Sequence, residues 1–232
     1  MERNTKQFLI PEKKNTIANV AYDIYPSHHI AQGKIESGYE SLANELISKK
    51  IIILDGYIGV DWDEIRHSLA KQFDKDEKSY EFIDVKKYLI TEMEIEKIIE
   101  PFLGGDDPIF GFRTTLSLQD YFDLENINDI DLNSNIDLHI IYGTGASQSN
   151  IKGFLVYFDL PKSEIQYRMR FGGITNLGFA NPKEVKQMYK QFFFIDWIIL
   201  KQYLGIFDQQ LTGTHYNSRS LLLLEPTNVF QR

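Results

Sequence analysis

Residues 51–73 read IIILDGYIGVDWDEIRHSLAKQF. The first six form a short continuous apolar run ending in Asp-Gly, the pattern of a strand buried on both faces of a parallel sheet. Beyond Asp61 the apolar positions Ile65, Leu69 and Phe73 recur every four residues, which predicts an amphipathic helix. Strand, glycine-bearing loop and helix is the backbone plan of a phosphate-binding loop. In that plan N–H groups cradle the anion, a lysine neutralises it and a hydroxyl holds Mg²⁺. Registered on Gly56, the pattern G-x-x-x-x-G-K-[ST] puts Asp61 at the second glycine, Trp62 at the lysine and Asp63 at the hydroxyl. Two carboxylates would then face a polyphosphate, with no lysine between them. The same residues make a well-built helix start: Asp61 suits the N-cap, and Asp63 and Glu64 complement the helix dipole by roughly 0.3–1 kcal/mol each. The residues favour a structural or disabled loop. The alternative is a ligand site around Gly56 and Gly59, with Asp55 or Asp61 holding a cation or sugar hydroxyls.

Outward from this stretch, strands and helices alternate. YDIYPSHHI (22–30) has strand composition interrupted by Pro26, and S-x-x-E at Ser37–Glu40 is a capping box opening a helix to about Lys49. Residues 79–85, 137–143, 153–160 and 220–225 read as further strands. Helices are predicted from Thr91, with Glu94 completing its cap, over 117–122, from Pro161, and from Asn181 to about Tyr203, where Asn181-Pro182 offers an N-cap and a first-turn proline. Residues 125–135 read as a polar loop, and the glycine-rich FGGITNLG (171–178) as a mobile segment. This alternation implies right-handed crossovers and a three-layer α/β/α sandwich around a mostly parallel sheet, P-loop-kinase-like, with an N-terminal arm over 1–20 and one domain over 21–232. Ligands of such sheets bind beyond the carboxyl ends of the strands, which selects 55–63, 84–87, 142–145 and 159–162.

Composition narrows the function classes. Hydrophobic residues make up 43% of the 232, enough for a full core, with 13 Tyr and 16 Phe supplying much of its bulk. A net charge of −8 argues against nucleic acid and anionic membrane as partners. Cysteine is absent, so disulfides and thiolate chemistry are excluded. No apolar run reaches the ~18 residues of a membrane span, and the N-terminus lacks a signal-peptide core, which reads as a cytoplasmic protein.

Other runs carry candidate chemistry. PFLGGDDPIFGFR (101–113) pairs Asp106 and Asp107 near Arg113, either a Mg²⁺ or hydroxyl site or, as favoured, an Asp-rich turn. Gly143-Thr144-Gly145 after a strand can form a backbone nest for an anion, or simply a crossover turn. Arg168 and Arg170 lie two apart on a helix, about 200° around its axis, so one can face a ligand while the other meets solvent. Followed by a glycine-rich segment, they fit a phosphate-covering lid, or a surface helix with a Glu164–Arg168 pair. Asp84 and Lys86 end the second strand at the same sheet edge, Asp84 as candidate base and Lys86 or Lys87 as replacement cation. Asp196 is the one charge in FFFIDWIIL (192–200), a buried helix whose acid is paired or near a pocket. His28 and His29 face opposite sides of a strand, His67, His139 and His215 are isolated, and no metal site is expected.

DGYIGVDW, FIDV, PFLGGDDPIFG, DLPKSEIQYRMRFGGITNLG and MYKQFFFIDW, in this order, resemble the uridine-kinase-like N-terminal portion of a group of bacterial class I mannose-6-phosphate isomerase proteins, over roughly residues 20–225. In that group isomerisation belongs to a zinc-binding cupin part that follows, and no cupin zinc constellation occurs in this chain. The resemblance implies a fragment or free-standing relative, with a cupin-type isomerase part as partner in cis or trans. It places Asp55–Asp63 at the phosphate loop, Asp84 after the second strand, and Arg168 and Arg170 on the lid. Three functions remain open. The leading one is a degenerate kinase-like accessory or ligand-binding domain of sugar-phosphate metabolism, with little or no phosphotransfer and no required cofactor. The second is an active nonstandard kinase of a sugar or nucleoside, using nucleotide or sugar phosphate with Mg²⁺. The third is a structural domain packing on an isomerase partner.

Overall fold

The computed structural model describes residues 38–76, 78–212 and 220–224, the last strand and residues 206–212 as backbone only. The arm at 1–20, the strand at 22–30 with its two histidines, Ser37 and His215 lie outside the described residues. Five parallel strands form one sheet: β1 Ile51–Gly56, β2 Tyr80–Asp84, β3 Leu138–Tyr142, β4 Phe154–Asp159 and β5 Ser220–Leu224, in spatial order β2-β3-β1-β4-β5. The helices are α1 Tyr39–Leu46, α2 Trp62–Phe73, α3 Glu92–Ile99, α4 Leu124–Asn128, α5 Lys162–Arg170, α6 Val185–Gln191 and α7 Trp197–Thr212. β1 is central, paired with β3 on one side and β4 on the other, with Leu54 level with Tyr142 and with Val156. Its following connection leads toward β2, whereas the connection after β4 leads the other way. The ends of β1 and β4 therefore flank the crevice where an open parallel sheet binds its ligand.

Register assigns the faces, since level residues of parallel strands point the same way. Trp62 and Phe73 of α2 pack on the face bearing Tyr142, Phe158 and Tyr80, while Tyr203 of α7 reaches Asp55 on the other. Helices thus cover both faces, and the α/β/α layering is as the alternation predicts. Ile52, Leu54, Ile140 and Val156 are buried at the sheet's centre, and α2 contributes Ile65, Leu69 and Phe73 to the same core.

Local signals held where their partners are local. Asp61 caps α2, accepting from Glu64 N at 3.1 Å. Thr91 and Glu94 form the reciprocal box on α3, Glu94 N donating to Thr91 Oγ1 at 3.3 Å and Thr91 N to Glu94 Oε2 at 2.9 Å. Three expectations need correction. The observed N-cap of α1 is Gly38, with φ 90° and no side-chain cap bond. Part of the polar loop at 125–135 is α4, capped by Asp123 accepting from Asn126 N. The helix expected from Asn181 begins at Val185, because residues 180–184 are held extended against α3: Ala180 N donates to Glu92, and Lys183 pairs with Glu96 at 2.8 Å. Between α6 and α7 the backbone widens into a π-helical turn, Phe192–Asp196, a feature frequent at functional sites.

Candidate functional site

A cavity of about 500 Å³ opens at the carboxyl edge of the sheet, over the ends of β2 and β3 and the loop after β1 rather than over the end of β4. The 58–63 loop, the turn after β2 with Asp84 and Lys86, the Tyr142–Thr144 turn, Arg168 and the strap 173–180 enclose it. Gly59, Asp61, Asp84, Lys86 and Arg168, singled out in the sequence, therefore share one site.

Asp55 does not line it. Its side chain is 0% exposed, on the opposite face from α2, and is the best-satisfied polar group in the region. One oxygen accepts from Gly56 N at 2.7 Å and Gly145 N at 2.8 Å; the other accepts from Ser147 N at 2.9 Å, Ser147 Oγ at 2.5 Å and Tyr203 OH. Of the two readings of the Gly143–Gly145 turn the less favoured one, an anion nest, is observed: Gly145 is at φ 91°, and the anion held is the chain's own carboxylate. Burial pushes the Asp55 carboxyl above the usual range, against the pull of the Ser147 and Tyr203 hydrogen bonds. Burial likewise pushes the Tyr203 phenol up.

The phosphate-loop position is filled in the same way. Trp62, standing where the lysine would be, lies 5.7 Å from Phe158 and 6.2 Å from Tyr142 between ring centroids. Its indole covers Gly56, where an added Cβ would meet Trp62 Cζ2 at 3.1 Å and Phe158 O at 2.8 Å. Gly56 is thus a close-packing glycine rather than a ligand contact. Donors an anion would need are turned inward: Tyr57 N to Phe158 O at 2.9 Å, Trp62 N to Val60 O at 3.1 Å, and Glu64 N to the Asp61 carboxylate. A phosphate placed here would have to displace both an indole and a carboxylate.

Arg168 and Arg170 part company as their helical spacing predicts. Arg168 faces the cavity, its Nη1 donating to Gly59 O at 2.8 Å and its Nε to Glu164 Oε1 at 3.3 Å, so it also fastens the loop to α5. Arg170 points away into a separate surface groove and is removed from the candidate ligand contacts. Asp84 accepts from Lys86 N at 2.8 Å, which fixes the turn that carries both side chains to the cavity.

The strap, expected to be mobile, is seated. Ile174, Asn176, Leu177 and Phe179 are buried. Asn176 Nδ2 donates to Asp196 Oδ2 at 2.7 Å and to Met188 O at 3.1 Å, and Leu177 N reaches the same carboxylate at 3.4 Å. Asp196 is 0% exposed, and burial pushes its carboxyl up to about 7, opposed by its donors. The lone acid of 192–200 is therefore the post on which the strap hangs. Its isolation in an apolar helix was the one legible signal; nothing in the sequence marked Ser147, Tyr203 or Asn176. Asp107 proves to be a turn acceptor, holding Ile109 N and Phe110 N at 2.8 Å each. Among the described residues no cluster of three acids or histidines could hold a metal ion, and no helix is long and apolar enough to cross a membrane.

A search of curated proteins finds no match to this chain. A solved structure described as a fructose transport system kinase from Silicibacter sp. TM1040 is similar at 12% identity and a TM-score of 0.39, over 58% of this chain and 80% of that one. At that score the likeness carries no argument, and the fold stands on the sheet order and register. A family profile matches residues 38–204, spanning β1 to β4 and the whole candidate site, and the chain belongs to that family, a domain of unknown function designated DUF8485.

Proposed function

We propose that the chain is a binding module for a small polyhydroxylated ligand, phosphorylated or not, in a kinase-like frame that has no working phosphate loop. One observation supports this above the rest. The phosphate-loop position is occupied by Asp61 and the Trp62 indole and the nest after β3 by Asp55, while the cavity beside the loop is bordered by Asp84, Lys86 and Arg168. Carboxylates that accept from hydroxyls, cations that donate to hydroxyl or phosphate oxygens, and an aromatic wall from Trp62 and Tyr142 suit a sugar or sugar phosphate. Asp84 and Arg168 are the contacts we assign to it, with Lys86 at the rim. The partnership with a cupin-type mannose-6-phosphate isomerase part, in cis or trans, rests on the sequence resemblance alone. Co-elution of the two purified parts would test it.

Thermal denaturation of the purified chain with a panel of sugars and sugar phosphates tests the binding reading. At roughly tenfold above Kd a true ligand raises the melting temperature by about 3–6 °C, and Asp84→Asn removes the increase. ATP-dependent phosphorylation of a sugar or nucleoside, abolished by the same substitution, would overturn it. Absence of any shift would leave the structural-domain reading.

The second reading, an active kinase of nonstandard design, is favoured by a single fact: Lys86 and Arg168 border the same cavity as Asp84. They would replace the loop lysine while Asp84 accepts the substrate proton. That reading requires Mg²⁺-dependent nucleotide binding, which calorimetry decides.

A further inference from the structure

A second concavity, of about 510 Å³, lies on another surface, between the tip of the 101–113 loop, α5 and the α6–π-turn stretch. Its lining includes Ile109, Phe110, Val185, Tyr189 and Phe193, which are 67%, 67%, 44%, 41% and 51% exposed. Large apolar side chains left in water forgo the stabilisation that burial would return. A slack loop would fold them down. This loop is held from doing so: Asp107 grips Ile109 N and Phe110 N, Phe112 N donates to Phe102 O at 2.8 Å, and Lys190 Nζ donates to Asp107 O. Gly104 sits at φ 68°, with Phe110 O only 2.4 Å from where a Cβ would lie. The loop is built to hold the apolar tip out.

Charge identifies what the tip is held out for. The charged residues lining the groove are Arg170, Lys186 and Lys190, all positive on a chain of net charge −8. Arg170 and Lys186 form no ion pair among the described residues, and Lys190, which is also drawn to Asp107, completes the positive lining. A second copy docking by two-fold symmetry would set these cations against themselves. A flat bilayer would meet Ile109 and Phe110 but leave the floor between α5 and α6 unfilled. We propose that the groove docks a short apolar segment carrying Asp or Glu, contributed by another protein. Apolar side chains of that segment fill the concavity, and its carboxylates meet Arg170, Lys186 and Lys190. This inference is independent of what the Asp84 cavity binds.

The test is selection from a random-peptide display library on the purified chain, with counter-selection on Phe110→Ser. Recovered peptides should combine two or three large apolar residues with Asp or Glu. They should bind the wild type on the order of tenfold more tightly than Phe110→Ser and than the double variant Arg170→Glu/Lys186→Glu. Both variants alter exposed side chains, and unchanged melting curves confirm their folding. Four results would each overturn the proposal. They are no peptides surviving counter-selection, a basic consensus, binders indifferent to both variants, and Phe110-dependent dimerisation or binding to anionic phospholipid vesicles in place of peptide binding.

Discussion

Replacing Asp55 by Ala tests whether the turn after β3 is an anion nest filled from within. The substitution strips the buried N–H of Gly145, the half-buried N–H of Ser147 and the Tyr203 hydroxyl of their shared acceptor. Each of these three donors left unsatisfied costs about 1–3 kcal/mol, so the gross loss is on the order of 3–9 kcal/mol. Part returns, because a carboxyl pushed up by burial no longer has to be desolvated. The expected net loss is about 2–6 kcal/mol, against a total stability of roughly 5–15 kcal/mol for an ordinary domain. Urea unfolding followed by tryptophan fluorescence measures it. The vacated nest should then accept an external carboxylate. Formate at about 100 mM, binding with a Kd near 10 mM, would restore about 1.4 kcal/mol to the variant and leave the wild type unchanged. A loss below about 1 kcal/mol, or formate stabilising both proteins equally, would refute the reasoning. So would a variant that keeps its stability but loses a ligand, since Asp55 would then belong to the cavity.

Two further outcomes follow from the strap and its post. The Asp196 carboxyl is pushed up to about 7 from an ordinary 3.8, so between about pH 4 and pH 7 the unfolded chain releases a proton that the folded one keeps. Stability should therefore fall as pH rises through that window, by at most about 1.4 kcal/mol per unit, and level off above it. Urea midpoints at pH 5 and pH 8 should show the decline, and Asp196→Asn should reduce it; a wild type more stable at pH 8 contradicts the assignment. Gly178→Ala should destabilise by more than about 1 kcal/mol in the same assay, because the residue sits at φ 82° with Ile95 Cδ1 only 2.3 Å from an added Cβ. An unchanged midpoint would mean that the strap is not seated on α3.

The parts of the site legible in the sequence are those decided within a few residues. Asp61 announces its cap because the N–H it accepts from is three positions away. The 200° separation of Arg168 and Arg170 is helix geometry, so that they diverge was readable, but which one meets the cavity depends on where Gly59 O lies after folding. Asp55 could be placed at the strand end, not beneath it, because its partners Gly145, Ser147 and Tyr203 are 90, 92 and 148 residues distant. Trp62 was visible as the residue standing for a lysine; that its indole plugs the loop depends on Phe158 and Tyr142 from other strands. The glycines of 171–178 read as slack until Asn176 found Asp196, 20 residues on. The layered fold was the more legible because alternating strand and helix periods with short connections leave few topologies open.

The central claim is that Asp61 and Trp62 occupy the place where a phosphate loop between β1 and α2 would hold its anion. Calorimetric titration of the purified chain with ATP and Mg²⁺ tests it most directly. The filled loop predicts no binding heat up to about millimolar nucleotide. Saturable one-to-one binding with a Kd below about 100 μM, equivalent to more than roughly 5 kcal/mol of affinity, would contradict it.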